Sequence, residues 1–367
     1  MTRVAVVGPV FPFRAGIAYC TTRLAEELGA DVISFKRQYP KRFYPGGEDV
    51  DPTLPRAKAD FILDVLNPLT WLRAARRLRA YDAVIFVWWI WVWALPYRVM
   101  IALLRRHTRV ILQCHNIGDK EPAAWKGALS NLVLRRGDVL VVHARSEAAE
   151  AWRRSRGRRV VQTFLPVHEL GGAMPPRDEA KRRLGVEGRD VALFFGHVRP
   201  FKGLDLAMRA WAQLASDPVL FVAGELWWQS PAALGRMAKE LGIGLRTGAS
   251  VRFEFRFIPD AEIATYFAAA DVVLAPYRIE AQSGVALTAF HFGRPVIASD
   301  AGGLPEIVDG NNGIVFPSED AGALARAVDE FFTSRDRAAM ERAALASAAR
   351  YSWQEYGRLF ARLVEAG

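Results

Sequence analysis

The chain alternates short β-rich runs with stretches of helical length, breaks once, and then alternates again. In the first half Val4 to Val7, Val32 to Phe35, Ala83 to Val87, Val110 to Gln113, Val139 to Val142 and Val160 to Thr163 read as strands. Gly16 to Leu28, Leu69 to Leu78, Leu95 to Arg106, Trp125 to Arg135 and Glu147 to Arg154 read as helices between them. Strand and helix in turn predict a parallel sheet, because a parallel strand needs a crossover to return. Pro166 to Pro176 interrupts the rhythm and reads as an interdomain linker. Strands then recur at Val191 to Phe195, Val219 to Ala223, Val251 to Phe255, Asp271 to Ala275 and Val296 to Ala298. From about Asp320 the chain is helical, ending in Trp353 to Ala366. The length, 367 residues, suits two such domains with their own cores. The expected fold class is α/β: two doubly wound, Rossmann-like halves with a cleft between them.

One segment competes with this reading. Ala83 to Leu104, AVIFVWWIWVWALPYRVMIALL, is long and apolar enough to suggest a membrane span. Pro96 and Arg98 break it, and its β-rich start follows Tyr81-Asp82, so strand, loop and helix fit better. Its tryptophans, Trp88, Trp89, Trp91 and Trp93, are candidates for an interfacial patch beside basic helices. The N-terminus, TRVAVVGPV, is strand-like without a signal-peptide pattern. Cys20 and Cys114 lie in apolar segments and read as buried thiols of a reducing cytoplasm. The net charge of +10 comes largely from arginine, as at Arg73, Arg76, Arg77, Arg79 and Arg153 to Arg159. Phosphorylated substrates and acidic lipid headgroups fit that surplus, as do arginines on solvated helix faces. No zinc-ligand spacing or nucleic-acid module accompanies it, so nucleic acid is not an expected partner.

Four places follow strands and carry chemistry. In Tyr277 to Gly313 a loop with one acid, Glu280, leads through Gln282-Ser283-Gly284 into an apolar segment of helical length, Val285 to Phe292. A helix start after a small, glycine-bearing turn offers free N–H groups and a positive dipole end to an anion. A phosphate-bearing ligand is therefore expected near Ser283, Gly284 and Val285. Phe195 to Gly203, FGHVRPFKG, puts Arg199 and Lys202 on a loop where a planar fork and a point charge can hold phosphate oxygens. Gly8 to Ala18 joins the first strand to the first helix, and Gly16 permits close backbone approach there, although a plain glycine turn reads equally well. QCHN sets His115 at the carboxyl end of an interior strand, as either a structural or a functional histidine. Asp49-Val50-Asp51 forms a D-x-D inside a glycine- and proline-rich loop and reads as a solvated turn. Anion clamp, helix starts, histidine and acid together suit departure of a diphosphate leaving group. Neither a P-loop nor a G-x-S-x-G elbow is present.

These residues resemble glycosyltransferase family 4, the retaining nucleotide-sugar transferases of the GT-B fold. The resemblance covers most of the chain. It is strong through FGHVRPFKGLDLAMRA, DVVLAPYRIE, TAFHFGRPVIASDAGGLPEIV and NGIVFP, and looser through Gly16 and QCHN. It implies an acceptor-side domain over 1–168, a donor domain over 177–350, and a final helix, 351–367, returning to the first domain. By position, Lys202 matches the lysine at the donor diphosphate, His115 the histidine near the transferred sugar, Glu280 the first acid of the Glu-x7-Glu motif, and Gly16 the glycine beside the diphosphate. Gln282, Ser283, Gly284 and Val285 then fall on the donor. Two positions depart. His197 stands where the family has an arginine, which leaves Arg199 to supply the charge. Thr288 stands where the second acid would hold the ribose, so ribose recognition must differ, weaken or be lost.

The resemblance implies retaining transfer of a hexose from a UDP- or GDP-sugar to a glycan or lipid-linked acceptor, in cell-surface glycan or glycolipid synthesis. The reaction would need no cofactor and no metal, and would run in the cytoplasm, at or near the inner face of the membrane. The leaving diphosphate, held by Arg199, Lys202 and the helix start, would help deprotonate the acceptor. Two alternatives stay open: another GT-B enzyme, an epimerase or phosphorylase, and a non-catalytic scaffold that binds sugars or partners.

Overall fold

The computed structural model describes residues 2–14, 16–40, 49–118, 123–169, 172–243, 250–279 and 282–366. The chain divides into two compact units, Met1–Pro166 with Tyr351–Gly367, and Val167–Arg350.

The first unit holds seven strands: β1 (Val4–Val7), β2 (Asp31–Arg37), β3 (Asp60–Asp64), β4 (Ala83–Trp88), β5 (Arg109–Cys114), β6 (Val139–Val142) and β7 (Arg159–Gln162). All pair in parallel, in the order β3-β2-β1-β4-β5-β6-β7. The order reverses at β1 and β4, which places the unit's ligand crevice beyond their carboxyl ends. The connecting helices are α1 (Gly16–Leu28), α2 (Pro68–Leu78), α3 (Ala94–Ala102), α4 (Ala124–Leu134) and α5 (Arg145–Ser155). α2 shows how locally these are specified. Asn67 caps it by accepting from the Leu69 amide at 3.1 Å, Pro68 opens it, and Arg76 and Arg77 face the negative end of its dipole.

The apolar segment from Ala83 resolves into strand, turn and helix. All six residues of β4 are buried, as a continuous apolar run covered on both faces should be. A 3-10 turn, Trp91–Trp93, follows, and Pro96 falls in the first turn of α3, where its missing N–H costs nothing. α3 stops at Ala102, short of the expected Arg106, because the Leu103 and Leu104 amides close back three residues, to Met100 and Ile101. Trp88, Trp89 and Trp93 are buried, so the expected tryptophan patch does not form. Trp93 instead donates from Nε1 to the Gln38 carbonyl and packs 4.3 Å from Phe35. No helix among the described residues is long and apolar enough to cross a membrane.

The second unit's strands are β8 (Val191–Phe195), β9 (Val219–Ala223), β10 (Ser250–Glu254), β11 (Val272–Ala275), β12 (Val296–Ser299) and β13 (Gly313–Phe316), all parallel, in the order β10-β9-β8-β11-β12-β13. Here the order reverses at β8 and β11. A buried ion pair fixes the amino ends of those two strands. Lys181 Nζ lies 2.8 Å from Asp271 Oδ2, and the same oxygen accepts from the Val191 amide. Helices α6 (Arg177–Arg183), α7 (Leu204–Trp211), α8 (Pro231–Glu240), α9 (Asp260–Ala269), α10 (Gly284–His291), α11 (Ala321–Thr333) and α12 (Arg337–Arg350) complete the unit. Trp211 sits in a core with Phe194, Leu220, Val222, Leu274, Leu324 and Phe331.

The last helix, α13 (Trp353–Glu365), belongs to the first unit. Ser352 and Glu355 begin it as a capping box pattern, with the Glu355 amide donating to Ser352 Oγ. It packs on α1, with Trp353 edge-on to Tyr19 at 5.8 Å.

Candidate active site

In the second unit the loops after β8 and β11 meet at the reversal point. Gly203, at φ 72, makes the meeting possible: a Cβ there would lie 2.0 Å from the Pro276 carbonyl oxygen. Arg278 then locks the two loops. Its amide donates to the Phe201 carbonyl, Nη1 to the Pro200 carbonyl, and its fork to both oxygens of Asp205 at 2.8 and 2.9 Å. Glu319 accepts from its Nε. Burial pushes the Asp205 carboxyl up, but the Arg278 hydrogen bonds and charge outweigh that and hold it below its ordinary value. The hydrogen bond to Asp205 leads the causes that raise the Arg278 pKa further still.

Within this brace, Lys202 Nζ lies 3.5 Å from the ring centre of the buried Tyr277. Arg199 is held elsewhere, with its guanidinium 4.2 Å from the ring centre of Trp227. His197 belongs to the same group, its ring 4.8 Å from Trp227 and its Nε2 3.3 Å from Glu225 Oε2. The two cations expected to act together thus rest on different aromatic rings, one on the loop after β11 and one on the loop after β9.

α10 begins beside them. Ser283 caps it by accepting from the Ala286 amide at 3.3 Å, while the Gly284 and Val285 amides precede any helical acceptor. A Cβ on Gly196 would sit 3.6 Å from Val285 Cγ2, so the loop after β8 lies against this helix start. Gly284 is required by packing, because a Cβ there would meet the His168 ring at 2.7 Å. Burial lowers the His168 pKa to about 4, which leaves its imidazole neutral at pH 7. Thr288, 4% exposed, donates its hydroxyl to the Gly284 carbonyl at 2.9 Å. That proton is used inside the helix, and only the oxygen is left to receive a bond. Gln282 is half-buried beside Ser283, and Glu280 lies outside the described residues.

Within the first unit, Gly16 is the first residue of α1 and His115 lies just beyond β5. The His115 ring lies 5.1 Å from that of His143, whose Nε2 is 2.8 Å from the Tyr356 hydroxyl on α13. Gln113 donates to that hydroxyl at 2.9 Å. Burial lowers the His143 pKa to about 4 against an opposing hydrogen bond with the Cys114 backbone, and burial also raises the Tyr356 hydroxyl well above its usual value. His143 and Tyr356 thus form a buried, uncharged pair.

The D-x-D is not the solvated turn expected. Asp51 is 2% exposed, its amide donates to the Pro12 carbonyl, and the Asp49 carbonyl accepts from the Arg14 amide. Main-chain pairing with the loop between β1 and α1 buries it as a strut. Among the described residues no group of three or more His, Cys, Asp or Glu is placed to hold a metal ion.

Arg278, His168, His143 and Tyr356 were not singled out by sequence. Arg278 carried the best available signal, an arginine three residues past a strand. Its partner Asp205 is remote in sequence, so no local pattern pairs them. His168 sits in what reads as linker.

Residues 189–334 match the family described as glycosyl transferases group 1. The chain is 29% identical over 245 residues to a D-inositol 3-phosphate glycosyltransferase of Mycolicibacterium smegmatis, covering 64% of this chain and 54% of that protein. It is 36% identical over 190 residues to the Mycobacterium bovis protein of the same name, covering 48% of this chain and 38% of the relative. The chain thus spans about half the length of the curated relatives it matches, or less. Among solved structures, the Anabaena protein HepE in complex with UDP and glucose aligns over 100% of both chains at TM-score 0.78 and 16% identity. That likeness shows the fold, which is the GT-B architecture.

Proposed function

We propose, from a second unit that belongs to the group 1 glycosyl transferases over residues 189–334, that this chain transfers a hexose from a nucleotide diphosphate sugar with retention of configuration. The observation that carries this reading is the reversal point of the second sheet. There Lys202, the uncapped amides of Gly284 and Val285 and a rigid two-loop brace converge beyond the carboxyl ends of β8 and β11. A diphosphate bound there would place negative charge on the helix dipole and the ammonium. Stabilising the departing diphosphate in this way is the main catalytic contribution available to the unit.

In this reading Lys202 holds the diphosphate, and Arg199 and His197, on the same loop after β8, border it from beside Trp227. Ser283 and Gln282 shape the turn, and the resemblance assigns Glu280 to the transferred sugar. The resemblance assigns donor roles to Gly16 and His115 of the first unit as well, and the neutral His143–Tyr356 pair lies beside the His115 ring. The departing diphosphate accepts the acceptor's proton, and no residue is assigned as a separate base. HepE's bound UDP and glucose support a UDP-sugar donor. No metal is assigned a role. α2 and α3 carry no Asp or Glu, and they expose Leu69, Leu72 and Leu95 beside Arg73 and Arg76. That face supports a lipid-linked or glycan acceptor met at the inner membrane surface, in cell-surface glycan or glycolipid synthesis.

The test is incubation with a panel of UDP- and GDP-sugars, with product analysis by mass spectrometry and anomeric NMR. Transfer or slow donor hydrolysis with an axial-to-axial outcome is expected for an α-linked donor. Absence of both with every donor contradicts the reading.

A further inference from the structure

A concentration of positive charge lies away from the strand ends of the second unit. In the first unit α3, α4 and α5 pack side by side, and a cavity of about 650 Å³ opens where the C-terminal ends of α4 and α5 come together. Its lining includes Arg98 from α3, Arg135 and Arg136 from the end of α4, Arg156 and Arg158 beyond α5, and the apolar Leu132. No acid lines it. These helix ends precede β6 and β7, so the cavity lies toward the amino ends of the strands, opposite the His115 edge.

Arginine near a helix C-terminus has an ordinary explanation, attraction to the carbonyl end of the dipole. It accounts for part of what is seen. Arg135 Nε donates to the Arg154 carbonyl and Arg158 Nε to the Arg135 carbonyl. It does not account for Arg98, which sits in the middle of α3, or for the terminal Nη groups of the five. Among the described residues none of the five forms an ion pair. Arg154, one turn away on α5, shows the satisfied alternative. It donates to Asn131 Oδ1 and to the Ile117 and Gly127 carbonyls, and lies 3.9 Å from Glu150. Five guanidinium groups around one cavity repel one another, and a multivalent anion removes that repulsion while accepting forked hydrogen bonds.

We propose that this cavity is a second anion site, one that takes a phosphate group and is separate from the diphosphate site of the second unit. The phosphate can come from a soluble metabolite or from an acidic lipid headgroup. The exposed Leu132 on α4 and Leu103 at the end of α3 suit the latter. The inference rests on the cavity and not on the transferase reading.

The experiment compares the full chain with R98Q/R136Q, two positions with no hydrogen bond or ion pair to lose, and with R326Q/R342Q, an equal charge change on α11 and α12. One arm titrates inorganic pyrophosphate by calorimetry; the other sediments phosphatidylglycerol and phosphatidylcholine vesicles at physiological salt. The K202A variant, run in the same titration, separates any pyrophosphate held by the second unit. In at least one arm, binding should weaken about tenfold or more in R98Q/R136Q and persist in R326Q/R342Q and K202A. Loss confined to phosphatidylglycerol vesicles assigns a lipid headgroup, and loss in the titration assigns a soluble phosphate. Equal weakening in both arginine pairs, or binding that R98Q/R136Q leaves unchanged in both arms, overturns the proposal.

Discussion

The two units share one topology and arm it differently. Both sheets are parallel and doubly wound, and in both the strand order reverses near the middle. Beyond the reversal in the second unit stand fixed charges: Lys202 on the Tyr277 ring and Arg278 forked onto Asp205. At the corresponding edge of the first unit stands a series of Gln113, Tyr356 and His143, with the His115 ring beside it; burial holds Tyr356 and His143 uncharged. The same scaffold thus presents a charged, anion-ready face in one unit and a buried pair held neutral, His143 and Tyr356, in the other. What distinguishes them is the few residues after each strand, which is where a shared fold leaves function free to vary.

Three substitutions test that contrast. The largest effect is expected from Lys202→Ala, which removes the ammonium on the charged side. Turnover should fall about 10²- to 10³-fold, the range for removing one preorganised charge-stabilising group. Initial rates with saturating donor check it, and a rate within a few-fold of the parent removes Lys202 from the diphosphate.

The neutral side is tested by pH. The folded-state pKa of His143, about 4, lies below its ordinary 6.5, so the unfolded chain takes up the proton first as pH falls. The stability it contributes is complete above pH 6.5 and is lost as pH falls toward 4, a change of about 3 kcal/mol. His168 titrates in the same direction in the second unit, so the loss has two sources. His143→Gln should flatten the fall in denaturation midpoint between pH 6.5 and 4 by roughly half. An unaltered slope means that the histidine is not held neutral by its burial.

The smallest effect is expected from Arg278→Lys, which keeps the charge but loses the fork onto Asp205. A loss of about 1–2 kcal/mol in stability is expected, with a raised donor KM as the two loops loosen. Chemical denaturation and KM read the two parts separately. If KM is unchanged, the brace serves the fold alone.

How much of this was legible in the sequence depended on whether the determining contacts were local. The strands in the sheet interiors were found because burial on both faces forces continuous apolar runs, as in β4. The two strands that escaped, β3 and β13, are edge strands of their sheets. β3 reads DFILD, short and ended by acids, and Val315 in β13 is exposed, so neither shows the interior pattern. The helix start at Ser283 was visible for the same local reason, a capping serine before an apolar run. Arg278 with Asp205, and Tyr356 with His143, are long-range pairs that no spacing rule reaches. Arg199 and Lys202 looked like one clamp because they are three residues apart. The turn between them sends one to Trp227 and the other to Tyr277.

Central to the account is that the second unit grips a nucleotide diphosphate through Lys202 and the start of α10. Calorimetric titration of the full chain with UDP and GDP measures this directly. One of the two should bind at one site per chain, and Lys202→Ala should weaken that binding about tenfold or more. Binding of neither nucleotide, or equal affinity in the variant, contradicts it.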